Sequence, residues 1–297
     1  MRVLNFGSLN IDEVYQVPNI VRPGQTITAR QMDTFVGGKG LNQSVALAKA
    51  GVPVLHAGAV GEDGEFLLHF LQSHGVDTSL VQHTPGKNGH AVIQVDEEGQ
   101  NSIFLYSGSN RRITHEDADR ILSGFGKGDL LLLQNEISSL DYIIATAAKK
   151  GMTIALNPSP YDEYISACDL SLVRLLLVNE VEGEAISGTS DRSSMAERIT
   201  ERYPQADVVL TLGREGAVYR TGGTSYRHGI FDVPVVDTTA AGDTFTGYFL
   251  AGWLDGFAPP ELLKHASMAS SIAVSRAGAA VSIPTKEEVM EALAKLS

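Results

Sequence analysis

Short, unbroken apolar runs alternate with amphipathic stretches along nearly the whole chain, and this alternation limits the possible folds more than any other feature. Val3–Phe6, Val54–Ala57, Leu130–Leu133, Thr153–Leu156, Leu175–Val178 and Val208–Thr211 read as strands. Runs that are continuously apolar fit strands buried on both faces, as in a parallel sheet between two helical layers. Between them, residues 40–50, 64–74, 138–149, 193–203, 242–254, 260–275 and 286–296 read as helices. In the second, Phe66, Leu67, Phe70 and Leu71 form one helical stripe. This alternation predicts a doubly wound α/β fold with a mostly parallel central sheet flanked by helices. Two segments, 12–36 and 89–106, read instead as hairpins. They predict a small β-sheet lid on one α/β domain spanning residues 1–297.

Charge and composition then exclude several classes. With 23 basic and 35 acidic side chains the formal charge is −12, which argues against non-specific nucleic-acid binding. Cys168 is the only cysteine, so neither an internal disulfide nor a Cys-based zinc site can form. His69 and His74 lie five apart and do not make a zinc-binding HExxH pair. The N-terminal residues Met1–Phe6 run into polar Asn10–Glu13 without the apolar core of a signal peptide. No apolar stretch approaches the ~18 residues of a membrane span. The expectation is a soluble cytoplasmic protein with neither a nucleic-acid nor a membrane partner.

The sharpest local feature is Asp237-Thr-Thr239-Ala240-Ala241-Gly242-Asp243, where an apolar strand end meets very small residues ahead of an amphipathic helix. Small side chains at a helix start let bare amides approach an anion, which the helix dipole also favours. A carboxylate there would repel a bound phosphate unless a hydroxyl lay between them, its proton passing to Asp243 as it attacks phosphorus. Taken alone, the turn fits equally an ordinary first-turn acid. A second segment, Gly37-Gly38-Lys39-Gly40-Leu41-Asn42-Gln43, also runs from strand to helix. It is neither a P-loop nor a dinucleotide fingerprint. Its glycines permit close approach to a ligand, and Lys39 and Asn42 offer polar groups suited to a polyhydroxylated molecule.

Together the two segments resemble the paired signatures of the PfkB carbohydrate kinase family, over nearly the whole chain from Gly7-Ser-Leu-Asn10-Ile-Asp12 to Gly278. The likeness is greatest to the members that phosphorylate D-ribose, where GGKGxNQ and DTxAAGD segments both occur. The resemblance implies an ATP-dependent kinase that transfers the γ-phosphoryl group to a primary hydroxyl of a free sugar, with D-ribose the first expectation. Asp243 is the implied general base, and the amides of Ala240, Ala241, Gly242 and Asp243 the implied anion hole. The implied sugar pocket comprises Asn10, Asp12, Gly38, Lys39, Asn42, Glu136 and Asp243. Asn179, Thr211, Gly213, Gly242 and Ser267 are the implied ATP contacts, with Mg²⁺ held mostly through water by Asn179 and Glu182. A K⁺ site is implied at Asp237, Thr239, Ala273, Arg276, Gly278 and Ser282, several through backbone carbonyls.

Two positions depart from the family pattern and predict altered preferences: Ser267, where many relatives place Asn or His against adenine, and Leu41 in the sugar motif. Other acceptors (a nucleoside, deoxyribose, another pentose or a ketohexose) remain open, as does a catalytically idle regulator. An apolar lid face with Val14, Val17, Ile27 and Phe35 would suit a homodimer through the lid.

Overall fold

The computed structural model describes residues 1–296. The first seven strands are β1 (Val3–Phe6), β2 (Asn10–Gln16), β3 (Gln31–Gly37), β4 (Val54–Val60), β5 (Asp77–His83), β6 (Gly89–Val95) and β7 (Asn101–Tyr106). The rest are β8 (Leu130–Gln134), β9 (Thr153–Asn157), β10 (Leu175–Val178), β11 (Asp207–Thr211), β12 (Ala217–Thr221) and β13 (Thr224–His228). The helices are α1 (Lys39–Lys49), α2 (Glu65–Ser73), α3 (His115–Leu122), α4 (Leu140–Lys149) and α5 (Glu163–Ala167). They continue with α6 (Glu180–Ser187), α7 (Met195–Arg202), α8 (Ala241–Leu254), α9 (Pro259–Val274) and α10 (Lys286–Ala294).

Nine strands form the central sheet in the order β13-β12-β11-β10-β9-β8-β1-β4-β5. It is parallel from β11 to β5, with β12 and β13 added antiparallel at one edge. Successive residues of each inner strand feed opposite helical layers, which is why these strands are apolar without a break. Leu130, Leu132, Leu175, Leu177 and Val209 pack with α1, α2, α8, α9 and α10. Leu131, Leu133, Leu176, Val178, Val208 and Leu210 pack with α3, α4, α5, α6 and α7. Burying each such side chain contributes roughly 1.5–3 kcal/mol.

Elements without an unbroken apolar run escape sequence reading. Strand β5 mixes Asp77, Thr78, Ser79, Gln82 and His83 with its apolar residues, as an edge strand can. The β12–β13 hairpin turns through Gly222 and Gly223, both with positive φ, a readable turn signal between strands too polar to register. Helix α3 is held by a Thr114–Asp117 capping box rather than by length.

The remaining strands form a separate sheet ordered β3-β2-β6-β7, built from the segments read as hairpins. Its central pair β2–β6 is parallel and the outer pairs are antiparallel. Met32, Phe35 and Ile103–Tyr106 stand exposed on it. Val17, expected on the exposed apolar face, is buried: it follows β2, and its amide bonds to the Val95 carbonyl at 2.9 Å. No helix among the described residues is long and apolar enough to cross a membrane.

The topology places the site. Strands β1, β8, β9, β10 and β11 all end on one edge of the sheet, and the strand order reverses where β1 meets β8. Ligands of open α/β sheets bind at that crevice. From β1 the chain passes through Gly7-Ser8-Leu9 into β2, and β3 returns it at Gly37 to α1. The small sheet is therefore anchored at the switch point.

Candidate active site

At the switch point, Ser8 after β1 and Glu136 after β8 face each other. The Ser8 hydroxyl donates to Glu136 Oε2, which also accepts the Lys39 amide at 3.0 Å. Gly40 N donates to Ser8 Oγ at 3.2 Å. These bonds fasten the start of α1 to the ends of β1 and β8, while Glu136 Oε1 makes no bond among the described residues. Asp12, on β2, lies against the bare Cα of Gly37: a Cβ there would fall 2.1 Å from its carboxylate. Asn10 Oδ1 accepts from Asn110 Nδ2 at 2.7 Å, which fixes the Asn10 amide in its pocket.

Asp243, buried in the first turn of α8, accepts from Asn42 Nδ2 at 2.9 Å and from Gln43 Nε2 at 2.8 Å, one on each oxygen. Asp12, Glu136 and Asp243 thus form an acidic cluster. Burial first, then the charges of Glu136 and Asp243, push the Asp12 carboxyl up to about 7. Lys39 is the counter-charge. Burial alone would lower its ammonium, but Asp243, Glu136 and Glu182 together outweigh that and raise it.

A cavity of about 230 Å³ extends from this cluster, lined by Lys39, Asn157, Asn179, Thr211, Ala240 to Asp243 and neighbours. Ala240 adopts the left-handed conformation, φ 58°, and turns the chain so that the α8 start faces the cavity. The amides there differ from expectation in one respect. Ala241 N–H is drawn to the Thr238 carbonyl at 3.3 Å, because the left-handed residue closes a tight turn. The Gly242 and Asp243 amides make no intramolecular bond among the described residues, so these two best fit an anion.

A second cavity of about 460 Å³ adjoins the first through Thr211, Thr238, Ala241, Gly242 and Phe245. Ile230, Phe231, Val233, Val235 and Val274 give it apolar walls, and Gly213, Ser267, Ser270 and Ser271 also line it. Its size and walls suit a flat aromatic ligand such as a base. Ser270 Oγ donates to the Ala241 carbonyl at 3.0 Å, linking this wall to the anion-binding turn.

Asn179 and Glu182 form the capping box of α6: Asn179 Oδ1 accepts from Val181 and Glu182 amides at 2.8 and 3.2 Å, and Glu182 Oε2 from Asn179 N at 3.0 Å. The Asn179 oxygen thus caps the helix, which fixes the side chain at the α6 start beside the first cavity. Glu182 is buried and keeps Oε1 unbonded, so the set fits a hydrated divalent ion through Glu182. No three His, Cys, Asp or Glu side chains among the described residues form a protein-only metal cage, and Mg²⁺ typically retains several waters beside phosphate.

The expected monovalent-cation residues separate into two groups. Asp237 accepts from Thr239 N, Thr239 Oγ1 and Gly278 N, bonds that hold its carboxyl low despite partial burial. Val236 N and Asp237 N both donate to the Val274 carbonyl, bringing the two loops side by side. By contrast, the Arg276 guanidinium pairs with Glu288, the Ser282 hydroxyl donates to the Ala279 carbonyl, and the Ala273 carbonyl accepts the Arg276 amide.

Leu41 is fully buried and its side chain packs in the core beneath α1. Sequence reading passed over Ser8, Gln43, Asn110 and Asn157. Of these, Gln43 sits inside the quoted motif and was the most findable.

An acid in a phosphate-sized turn, an acid cluster suited to sugar hydroxyls and an adjoining base-sized cavity together define a carbohydrate kinase. The chain belongs to the pfkB family of carbohydrate kinases, whose profile matches residues 2–286. It is 33% identical over 296 residues to the ribokinase of Haemophilus influenzae, covering 97% of this chain and 96% of that one. It is 29% identical over 307 residues to a deoxyribokinase of Salmonella typhimurium, covering 99% of each. Among solved structures, that of Arabidopsis thaliana ribokinase complexed with ribose and ATP superposes with a TM-score of 0.87 at 29% identity, covering 98% of each chain.

Proposed function

We propose that this protein transfers the γ-phosphoryl group of ATP to the primary hydroxyl of D-ribose, giving ribose 5-phosphate. The observation that supports this reading best is that the Asp243 carboxylate is grouped with Asp12 and Glu136 and also lines the cavity bordered by Gly242 and Asp243, whose amides are free. Sugar hydroxyls would donate to Asp12 and Glu136, with Asn10, Gly38, Lys39 and Asn42 completing the pocket. Asp243 would take the proton of the attacking hydroxyl, while the two amides and Lys39 hold the transferred phosphoryl group. The 460 Å³ cavity would take adenine against Ser267, with Thr211 and Gly213 at the phosphates and ribose. Mg²⁺ supplies charge neutralisation of the ATP phosphates, and Glu182 with Asn179 at the α6 start would orient its waters. A K⁺ ion would sit between the loops at Asp237, Thr239 and Gly278. The four-stranded sheet would act as the lid, and its exposed Met32, Phe35 and Ile103–Tyr106 would pair two copies into a homodimer in the cytoplasm.

The test is ADP release with MgATP and K⁺ across a panel of sugars and nucleosides. Turnover strongest on D-ribose supports the assignment. Deoxyribose is the second reading, favoured by the likeness to the Salmonella enzyme, and fastest turnover on it would replace ribose. No ADP release with any acceptor would overturn the proposal.

Asp12 makes a further expectation. A hydroxyl donating to Asp12 favours its charged form, so sugar binding should release a proton where the free site is protonated. Affinity should then rise with pH through about 7 and level off above it. Between pH 6 and 8 the sugar Kd should fall by up to about tenfold, measured by calorimetry in buffers of different ionisation enthalpy. Asp12→Asn should bind more weakly and with no such slope; a parallel slope in that variant would assign the effect elsewhere.

A further inference from the structure

Gln43 is fully buried and lines neither cavity, yet every polar atom of its amide is bonded. Nε2 donates to Asp243 Oδ1 at 2.8 Å and to Asn157 Oδ1 at 3.2 Å, and Oε1 accepts from Gln134 Nε2 at 2.7 Å. A primary amide can point either way, and the wrong orientation would aim a carbonyl at the Asp243 carboxylate. Two backbone carbonyls on opposite sides forbid it. On one side Asn157 Nδ2 donates to the Leu177 carbonyl at 2.8 Å, so Asn157 must present its oxygen to Gln43. On the other, Asn5 Nδ2 donates to the Gly40 carbonyl at 2.7 Å and to Ser44 Oγ at 2.8 Å. Asn5 must therefore present its oxygen to Gln134, whose Nε2 donates to it at 3.0 Å. Gln134 in turn must present nitrogen to Gln43, and Gln43 nitrogen to Asp243. A carbonyl accepts but never donates, so the sense of the chain is fixed at both ends. At the far end Ser44 meets His56, which burial pushes down to about 4 and keeps neutral, so no buried charge competes for these amides.

We infer that Gln43 is a positioning residue for phosphoryl transfer, its amide oriented through Gln134 and Asn5 on one side and Asn157 on the other so that an N–H holds the Asp243 carboxylate toward the acceptor hydroxyl. This rests on Asp243 being the base. Each Asp243 oxygen receives one amide donor and keeps a lone pair for the hydroxyl proton. Loss of one donor lets the carboxylate rotate within a site where small misplacements are costly in rate.

The experiment compares Gln43→Met and Gln134→Met, which keep side-chain length, with Gln43→Met/Gln134→Met and Asp243→Asn, using MgATP and the best acceptor. Gln43→Met should lower kcat about 10–100-fold while KM for sugar and nucleotide stays within about twofold. Gln134→Met, which leaves Gln43 in place and oriented from the Asn157 side alone, should lower kcat less. The double variant should be no slower than Gln43→Met alone, because the two act through one contact. A purely structural role would instead lower the active fraction in proportion to stability, with additive losses, and would overturn the inference. So would a kcat for Gln43→Met within twofold of the parent while Asp243→Asn is inactive. If Gln43→Met does not fold, an unchanged kcat in Gln134→Met overturns it equally. Retained turnover in Asp243→Asn would remove the base assignment first, and this inference with it.

Discussion

Replacing Asp243 by Asn is expected to lower kcat by roughly 10³–10⁴-fold while sugar and nucleotide still bind, because an amide cannot accept the hydroxyl proton. The substitution is nearly isosteric, and the surrounding bonds can adapt to it. Gln43 Nε2 would keep an oxygen to donate to. The new amide nitrogen would face Asn42, whose Oδ1 is buried without a partner, so Asn42 needs only to turn its amide over to accept. Stability should therefore change little, and thermal shifts with sugar or nucleotide should persist. Single-turnover ADP formation against those shifts separates the chemical step from binding. Residual turnover within tenfold of the parent would mean that the proton leaves by another route.

The second large effect is expected from Gly40→Ala, which changes one methyl group at the start of α1. A Cβ at Gly40 would lie 2.3 Å from Ser8 N, 2.5 Å from Gly7 C and 2.7 Å from Gly7 Cα. All three are backbone atoms, so no flexible side chain can yield. Relief requires α1 to move away from the β1 exit. That movement would stretch Gly40 N to Ser8 Oγ, Leu41 N to the Ser8 carbonyl, and the Asn5 bond to the Gly40 carbonyl. Overpacking of this kind costs about 1–3 kcal/mol, a fall in Tm of several degrees for a chain of this size. The same shift displaces Lys39, Asn42 and Gln43 from Asp243 and Lys39 from Glu136, so kcat/KM should fall about 100-fold. Calorimetry and steady-state kinetics measure both, with Gly124→Ala as the control, where the nearest atom to a new Cβ is 3.9 Å away. A variant with normal Tm and kcat/KM would show that the β1–α1 contact is not rigid.

The fold was legible where its causes are local. Unbroken apolar runs mark the inner strands because each alternate residue enters a helical layer, and they do so for β1, β8, β9, β10 and β11. Edge strands, with one partner and a partly wet face, carry no such mark, which hides β5 and β13; β12 has two partners, but its apolar run stops at Tyr219 before Arg220 and Thr221. The exposure expected of Val17 failed because alternation in an isolated hairpin cannot show what lies over its end. Within one motif the directions differ: Asn42 and Gln43 reach Asp243, while the Leu41 side chain packs in the core.

The sequence by itself determined the α/β alternation, the two glycine-rich turns and the candidate acids, since each depends on residues close in the chain. Tertiary structure alone decided their pairing. Ser8 meets Glu136 across 128 positions, and Asn42 and Gln43 meet Asp243 across 201 and 200. It also decided that the Asn179 oxygen caps α6, that the Ala241 amide closes its own turn, and that two distant carbonyls orient Gln43. Hydrogen bonds depend on the distance and direction between atoms brought together by strand order, and local periodicity contains neither quantity.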